Sequence, residues 1–358
     1  MKKIKVLQLI TGLPIGGAEK VLLDLCSHLD QSQTDIFVIG LNNENDLKKD
    51  FETEGIFVKI LNMKKNPVSF IKTYNELVQF IQEHQIDIIH AHMFHPLVFA
   101  YLLKLKNQKL KIVFTSHSEN IGGKVREYFI SLLKDYRDTD IVFSKNMMNK
   151  IYKKNTVVIA NGINIELFSK TKKKEPVFTF LSVGILRPGK NQAFLANCAR
   201  YLKDQGYHFQ INIVGAGDQS GDTSEEIKKS IEKYDVKDKI HMLGRRKDIP
   251  KLLQTSHCFV LPSSFEGLPI ALLEAGAAKL PILSTPVGAI PGIMDENMGY
   301  MADQDHFAEK MEYILTHYEE AQSKAASFYT KIHNEFSIER MAQSHEKIYE
   351  SLVENHEY

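Results

Sequence analysis

The chain has 358 residues, of which 25% are charged, and its formal net charge is +1. These values argue against a general nucleic-acid binder and against a disordered chain. A chain of this length is expected to form two domains of ordinary size, each with its own hydrophobic core. Its three cysteines, Cys26, Cys198 and Cys258, lie far apart in apolar surroundings, which is typical of buried thiols in a reducing compartment.

The N-terminal segment from Met1 to Ile10 is basic and then apolar, which is how a signal peptide begins. Its apolar run is short, however, and the turn-forming residues Thr11 to Pro14 follow at once. We therefore interpret residues 4–10 as the first β-strand and expect a cytoplasmic protein. No run in the chain approaches the roughly 18 apolar residues that a membrane span needs.

Short apolar runs alternate with helical periodicity along the rest of the chain. In the first half we predict strands at residues 4–10, 36–41, 58–61, 86–91, 112–116, 141–144 and 157–159, with helices between them, for example at 69–84. After the basic, apolar-free segment 169–176 the pattern restarts, with strands at 178–183, 210–214, 240–243, 258–261 and 282–284. This alternation is typical of parallel sheets covered by helices on both faces. We therefore predict an α/β fold of two Rossmann-like domains, residues 1–168 and 169–337, which face each other across a cleft.

In such sheets ligands bind at the carboxyl ends of the strands, so the loops that follow strands are the places to search. The loop after the first strand contains Gly16 and Gly17 and opens a helix, which exposes amides to an anion, although a glycine pair is as often only a turn. The loop after the first strand of the second half contains Arg187 and Lys190. The next strand is followed by a third loop, which begins at Gly215.

The segment from Ser263 to Glu274 is the most informative part of the sequence. It places Glu266 on a Gly/Pro turn and Glu274 eight positions later, on the helix that follows. Pro269 suits a first helical position, and the helix start favours a phosphate. Carboxylates beside an anion site need hydroxyl partners, and a nucleotide-sugar supplies diphosphate, ribose and hexose together. Two acids near one helix are, however, more often solvated surface.

The second half of the chain resembles the donor domain of glycosyltransferase family 4, a large family of retaining enzymes with the GT-B fold. The matching segments are 214–218 (VGAGD), 243–249 (LGRRKDI), 259–263 (FVLPS), the double-glutamate segment 263–274 and 281–291 (PILSTPVGAIP). In the first half, 16–19 (GGAE), 87–92 (DIIHAH) and 161–164 (NGIN) also match. The resemblance covers almost the whole chain, and the order of its motifs is specific.

The resemblance implies roles for individual residues. Glu266 would hold hydroxyls of the donor sugar, Glu274 would bind the ribose, and Lys190 would neutralise the leaving diphosphate. His117, at the end of the strand at 112–116, matches a family histidine near the reacting sugar. The same resemblance assigns the following residues to the donor site: Gly16, Gly17, Arg187, Gly215, Gly267, Leu268 and Pro269.

The implied reaction is the retaining transfer of a sugar from a nucleoside diphosphate, with UDP as the expected nucleotide, to a saccharide acceptor. Stabilisation of the charge on the departing phosphate would be the main catalytic effect. Neither a metal ion nor another cofactor is implied.

One departure from the family pattern concerns the phosphate. The family usually has Gly-Arg-Leu where this chain has Gly184, Ile185 and Leu186, so its phosphate-binding arginine is replaced. Arg187 is a candidate substitute if the loop bends differently. The departure is also the best support for one alternative, a non-catalytic nucleotide-sugar binder. A sugar-nucleotide epimerase or hydrolase on the same fold is the other alternative.

Three histidines, His90, His92 and His95, have a metal-like spacing, and the first two would share one face of a strand. No carboxylate partner is evident, so we expect no zinc site there. A position on the acceptor side of the site is the other interpretation of His92.

The stretch from Tyr101 to Asn155 contains twelve basic and five acidic residues, with apolar residues interleaved. This composition is typical of a surface that touches anionic lipid, although helices with one buried and one basic solvated face would also produce it. If this stretch contacts a membrane, the acceptor is a lipid-linked saccharide at the inner leaflet, used in surface polysaccharide or glycan synthesis. A soluble acceptor is the alternative. Residues 338–358 are predicted to form a helix, which in the resembled fold packs back on the first domain.

Overall fold

The computed structural model describes residues 3–117, 123–143, 147–170, 172–217 and 221–354. The chain forms two compact units, one of residues 1–162 together with 338–358 and one of residues 163–337. The junction between them lies six residues before the predicted one at 168/169. The reason is a short helix, Ile165–Phe168, which packs against helices of the second unit.

The first unit contains a seven-stranded sheet in which every neighbouring pair of strands is parallel. The strands are β1 (Ile4–Ile10), β2 (Thr34–Gly40), β3 (Phe57–Ile60), β4 (Ile88–His92), β5 (Lys111–Thr115), β6 (Thr139–Val142) and β7 (Val157–Val158). Their order in the sheet is β3-β2-β1-β4-β5-β6-β7. All seven predicted strands are confirmed, β1 to the residue, although Ser144 of the predicted run at 141–144 lies outside the described residues.

Helices connect these strands on both faces of the sheet. They are α1 (Gly17–His28), α2 (Lys48–Thr53), α3 (Pro67–His84), α4 (Phe94–Lys106) and α5 (Lys124–Leu132). Local chemistry explains the bounds of α3, because the Asn66 side chain accepts a hydrogen bond from the Ser69 amide at 2.8 Å and Pro67 occupies the first helical position. Its apolar stripe, which includes Leu77 and Phe80, is buried in the core of this unit.

The second unit contains a six-stranded parallel sheet. Its strands are β8 (Phe178–Val183), β9 (Phe209–Val214), β10 (Ile240–Gly244), β11 (Cys258–Leu261), β12 (Ile282–Ser284) and β13 (Tyr300–Met301). They are ordered β10-β9-β8-β11-β12-β13. The five predicted strands are confirmed. The sequence pattern missed β13, because Tyr300 and Met301 stand between Gly299 and Ala302-Asp303 and form no β-branched apolar run, unlike residues 157–159 at the equally short β7.

The helices of the second unit are α6 (Ile165–Phe168), α7 (Leu195–Asp204), α8 (Ser224–Lys233), α9 (Ile249–Thr255), α10 (Ile270–Ala277), α11 (Ile290–Ile293), α12 (Phe307–Thr316) and α13 (Tyr318–Glu335). The last helix of the chain, α14 (Ile338–Glu354), belongs to the first unit, where it packs against α1 and β1. In the part of the chain that the structure describes, no helix has the length and apolar character needed to cross a bilayer.

Candidate functional site

Each sheet has one point at which the strand order reverses, and most of the predicted site residues lie in or next to the loops at these points. In the second unit, β8 and β11 are neighbours, but the chain visits β9 and β10 between them. The loops after β8 and β11 therefore begin side by side at the carboxyl edge of the sheet, where ligands bind in folds of this class. The first of these loops carries Lys190 and the second carries Glu266.

Lys190 and Glu266 form an ion pair. The Lys190 Nζ atom lies 2.7 Å from each carboxylate oxygen of Glu266. The Glu266 side chain is 4% exposed, whereas that of Lys190 is 28% exposed, so the cation is the partner that water can reach. The hydroxyl of buried Ser263 donates a third hydrogen bond to Glu266, 2.6 Å from Oε1. A buried carboxylate is thus held by one cation and one hydroxyl.

The loop that carries Glu266 is held in place by its neighbours. The Gly189 carbonyl, one residue before Lys190, accepts hydrogen bonds from the amides of Ser264 and Phe265, at 2.9 and 3.4 Å. On the other side, the Thr285 hydroxyl donates to the Ser263 carbonyl at 2.5 Å. These contacts join the loops after β8, β11 and β12 into one rigid edge.

Two supporting residues were not assigned a role from the sequence. Ser263 stands at the start of the double-glutamate segment and could have been found there as a nearby hydroxyl. Gly288 has a backbone φ of +58°, and a Cβ atom on it would lie 1.7 Å from the Glu266 carbonyl oxygen. Only glycine fits this position, because other residues would be strained and would push the Glu266 loop away.

Glu274 lies on α10 and is buried. The helix begins at Ile270, and Pro269 is its cap with an extended backbone, so the prediction of Pro269 as the first helical residue was wrong by one position. Gly267 and Leu268 form the half-buried turn before the cap. The first amides of a helix have no partner within the helix, which makes this turn suitable for an anion.

The loop after β8 turns tightly just before Arg187, whose role as a substitute for the family arginine stays a prediction. The Arg187 amide donates to the Ile185 carbonyl at 3.0 Å, which closes a three-residue turn around buried Leu186. Arg187 is half-buried and is followed by a 3₁₀ turn, Pro188–Lys190. Gly215, after β9, packs so close that a Cβ atom would lie 1.8 Å from the Gly184 carbonyl oxygen. Asp218 of the matched segment lies outside the described residues.

In the first unit, the reversal lies between β1 and β4. Gly16 caps α1, and Gly17 is its first residue. A Cβ atom on Gly17 would meet nothing within 4 Å, so the backbone is open to a close approach there. A Cβ atom on Gly16 would lie 2.4 Å from a carboxylate oxygen of Glu19, which folds back over the helix start. Burial raises the pKa of Glu19.

His117 follows β5 and is connected by hydrogen bonds to side chains of β4 and β1. Its Nε2 atom lies 2.8 Å from Nδ1 of His92 on β4, and the His92 Nε2 atom lies 2.8 Å from Oε1 of Gln8 on β1. Burial lowers the pKa of His117 to about 4 and holds that of His92 well below its usual value. His92 is buried, and its position on the acceptor side stays a prediction.

The hydrogen bonds continue to the C-terminal helix. The hydroxyl of Tyr349 on α14 lies 3.0 Å from the Gln8 Nε2 atom and 2.8 Å from His90 Nδ1, and His90 Nε2 lies 2.8 Å from the Thr115 hydroxyl. Both ring nitrogens of His90 and of His92 are thus engaged by protein groups. His95 lies on α4 and is exposed. Among the described residues, no group of three or more His, Cys, Asp or Glu side chains is arranged to hold a metal ion.

Several basic side chains of the stretch from Tyr101 to Asn155 form ion pairs with acidic residues of the same stretch. Asp138 forms ion pairs with Lys104 and Lys111, at 2.5 and 3.7 Å, and Arg137 forms a fully buried pair with Asp140 at 3.1 Å. These three cations are therefore engaged within the unit. Residues 118–122 and 144–146 of the stretch lie outside the described residues.

Helix α5 within this stretch carries its apolar stripe on the outside. Val125, Tyr128, Phe129 and Leu132 are 45 to 71% exposed and follow the i, i+3, i+4, i+7 spacing of one helix face. The buried residue of α5 is Ile130, on the opposite face. We call these four exposed residues the α5 stripe. An exposed apolar stripe of this kind marks an interaction surface.

Two family models match adjoining segments of the chain. The model described as Glycosyltransferase Family 4 matches residues 15–167, and the model described as Glycosyl transferases group 1 matches residues 164–328. Together they cover most of both units.

Similar proteins are found among both curated sequences and solved structures. A capsular polysaccharide biosynthesis glycosyltransferase of Staphylococcus aureus is 25% identical over 297 residues, which cover 79% of this chain and 82% of the relative. The UDP-Gal:alpha-D-GlcNAc-diphosphoundecaprenol alpha-1,3-galactosyltransferase of Escherichia coli is 25% identical over 315 residues, or 78% of this chain and 79% of the relative.

Two solved structures show the same fold. A glycosyltransferase from Rickettsia africae has a TM-score of 0.85 at 20% identity and covers 99% of this chain and 100% of its own. Anabaena HepE, in complex with UDP and glucose, has a TM-score of 0.82 at 17% identity over 97% of this chain and 100% of its own.

Proposed function

Because this chain belongs to glycosyltransferase family 4 and has the GT-B fold, we propose that it transfers a hexose from a UDP-sugar to a saccharide acceptor with retention of configuration. The observation that carries the proposal is the cluster of Lys190, Glu266 and Ser263 at the strand reversal of the second unit. The cluster combines a cation for the diphosphate with a carboxylate for sugar hydroxyls. Glu274, buried in the second turn of α10, is the group for the ribose hydroxyls.

The names of the relatives support the finer parts of this proposal. The E. coli relative is named for a UDP-linked donor and a diphosphoundecaprenol-linked acceptor, and the S. aureus relative for capsular polysaccharide synthesis. HepE was crystallised with UDP and glucose. We therefore propose a lipid-linked saccharide as the acceptor and a surface polysaccharide or glycan as the product.

The proposed chemistry uses the charges of the site. As the acceptor oxygen forms its bond to the anomeric carbon, the bond from that carbon to the β-phosphate oxygen breaks on the same face. The leaving phosphate takes the proton of the acceptor hydroxyl. Lys190, Arg187 and the amides of the turn at 267–269 stabilise the negative charge that develops on this phosphate, so no metal ion is needed. In the first unit, we propose that His117 and the backbone at Gly16 and Gly17 also contact substrate groups.

Ligand-induced stabilisation tests the donor site. The purified protein is heated with UDP-, GDP-, ADP- and dTDP-sugars in the absence of added metal. A ligand at about 100 times its dissociation constant adds about 2.7 kcal/mol to the free energy of unfolding, which gives a clear shift in melting temperature. We expect UDP-sugars to give this shift, Glu274→Ala to abolish it, and Glu309→Ala, an exposed control on α12, to keep it.

The outcome separates the proposal from its alternatives. Transfer to a lipid-linked acceptor, with the anomeric configuration of the product read by NMR, supports a retaining glycosyltransferase. Loss of the sugar from the donor without any acceptor indicates a hydrolase, and a change in the sugar configuration of the donor indicates an epimerase. Binding without turnover indicates a nucleotide-sugar binder. An unchanged melting temperature with all four nucleotides removes the donor-site assignment.

We also propose that the α5 stripe brings the protein to an anionic membrane surface, where a lipid-linked acceptor would be found. The stripe is flanked by Lys124 and Arg126, and the combination of apolar and basic groups is what an anionic bilayer binds. In flotation with phosphatidylglycerol vesicles, Tyr128→Ser/Leu132→Ser should lower the bound fraction. The matched control is Val68→Ser/Ile71→Ser, which removes equally exposed apolar residues from α3. Equal losses in both variants would contradict a specific role for α5.

A further inference from the structure

The buried hydrogen bonds beneath His117 join three strands and the C-terminal helix. Gln8, His90, His92 and Thr115 lie on one face of the first sheet, because Gln8 pairs with His90 across β1 and β4 and His92 pairs with Thr115 across β4 and β5. Tyr349 of α14 closes this face through its bonds to Gln8 and His90. All five side chains are buried, so water does not compete for their hydrogen bonds.

The amide of Gln8 gives this group of bonds a direction. Its Oε1 atom faces His92 Nε2, and an amide oxygen can only accept, so His92 carries a proton on Nε2. Burial keeps His92 neutral, and therefore its Nδ1 atom is an acceptor. The atom that faces this acceptor is Nε2 of His117, which must donate.

The same argument places the remaining protons. His117 is also held neutral by burial, so a proton on Nε2 leaves its Nδ1 atom as an acceptor. On the other arm, the Gln8 Nε2 group donates to the Tyr349 hydroxyl, which also lies 2.8 Å from His90 Nδ1, and His90 Nε2 lies 2.8 Å from the Thr115 hydroxyl. Reversing the Gln8 amide would reverse the bonds from Gln8 to His92 and from His92 to His117. One buried amide thus decides whether His117 offers a lone pair or a proton.

We propose that Gln8 and His92 are positioning residues, which keep the proton of His117 on Nε2 and present its Nδ1 atom as a hydrogen-bond acceptor for a sugar hydroxyl. This inference rests on the proposed function, in which His117 contacts a substrate group. It adds a requirement of that role, namely that the substrate group at His117 is a hydroxyl that donates. Gln8 and His92 are themselves buried, so they would act on the substrate through His117.

The direct test reads the proton positions without any substrate. In the full-length protein labelled with heavy nitrogen in its histidines, long-range proton–nitrogen NMR spectra distinguish protonated from unprotonated ring nitrogens. We expect the wild type to show protonated Nε2 and unprotonated Nδ1 at both His92 and His117. Gln8→Met, which removes the amide at similar length, should release the proton position of His117.

Kinetics with the donor and acceptor form the second readout. Gln8→Met should lower kcat roughly tenfold, the effect of one lost positioning bond, while the donor still binds. Thr115→Val is the matched control, since it removes a buried partner of His90 and leaves the His117 proton unchanged. His92→Asn retains an oxygen close to the position of Nδ1 and should keep more activity than His92→Leu.

Three results would overturn the inference. The first is a wild-type His117 that carries its proton on Nδ1 or on both nitrogens near neutral pH. The second is an unchanged His117 proton position in Gln8→Met, and the third is an unchanged kcat in that variant. If the wild type shows no transfer at all, the proposed function fails, and the wild-type spectra still decide the proton position because they require neither substrate nor variant.

Discussion

The ion pair between Lys190 and Glu266 predicts an asymmetric response to removal of its two partners. Lys190→Met leaves a carboxylate that is 4% exposed with Ser263 as its remaining described partner. Breaking a buried pair in this way costs about 3–5 kcal/mol when neither group reaches water. Because the Lys190 side chain is 28% exposed, solvent screens part of this loss, and we expect the free energy of unfolding to fall by about 2–3 kcal/mol.

Removal of the other partner should be milder. In Glu266→Gln the lysine head can turn to water, and the amide oxygen can still accept the hydrogen bond from Ser263. The expected cost is below about 1 kcal/mol. In the double variant Lys190→Met/Glu266→Gln no unpaired charge is buried, so most of the stability lost in Lys190→Met should return, and the cycle gives the coupling directly.

Differential scanning calorimetry is the assay, with the transition of the second unit followed. For a unit of about this size each kcal/mol shifts the melting temperature by about 2–4 °C, so Lys190→Met should lower it by about 4–12 °C. The matched control is Lys228→Met, because Lys228 and Glu225 also lie 2.7 Å apart but their side chains are 57 and 75% exposed. No measurable change is expected there.

The reasoning would be refuted by an equal or larger loss in Glu266→Gln than in Lys190→Met. It would also fail if the double variant were as unstable as the sum of the two single variants. Either result would mean that burial of the Glu266 carboxylate does not control the energy of the pair.

Three further predictions concern two buried histidines, a glycine beside Glu266 and the need for a metal ion. Burial lowers the pKa of His117 and of His345 to about 4, against about 6.5 in an unfolded chain, so the unfolded state binds more protons below pH 6.5. The free energy of unfolding should therefore be highest above pH 6.5 and should fall towards pH 4, by up to about 1.4 kcal/mol per pH unit for each histidine. Urea titrations at several pH values should show a shallower fall in His345→Leu than in the wild type. An unchanged slope in that variant would contradict this. Gly288→Ala should destabilise the second unit by more than about 1 kcal/mol and weaken donor binding. Gly292→Ala is the control and should do neither, because its Cβ atom would meet nothing within 4 Å. Equal effects of the two substitutions would contradict the argument from the Glu266 carbonyl. Because Lys190 and the turn before α10 supply the positive charge, transfer should persist in excess EDTA, and a loss of activity that magnesium restores would show that a metal is required.

Much of the fold follows from the sequence alone. Parallel strands that are buried on both faces appear in the sequence as short apolar runs, whereas in helices the apolar residues recur every three to four positions. Twelve strands were therefore predicted from local patterns. The strand ends then indicated where Gly16, Lys190 and Glu266 would lie, because parallel sheets bind ligands at that edge. Strand β13 was missed because Tyr300 and Met301 are not part of an apolar run.

Partnerships between distant residues were decided by the tertiary structure. Lys190 and Glu266 are 76 positions apart, and Gln8 and Tyr349 are 341 apart, so no local pattern records that they meet. The direction of the α5 stripe was equally hidden, since an amphipathic helix has the same period whether its apolar face points into the core or out to solvent. The sequence by itself determined the strands, the loops at their ends and the chemistry available there. Packing decided which of these groups neutralise, orient or expose one another, because those energies depend on distance and burial in three dimensions.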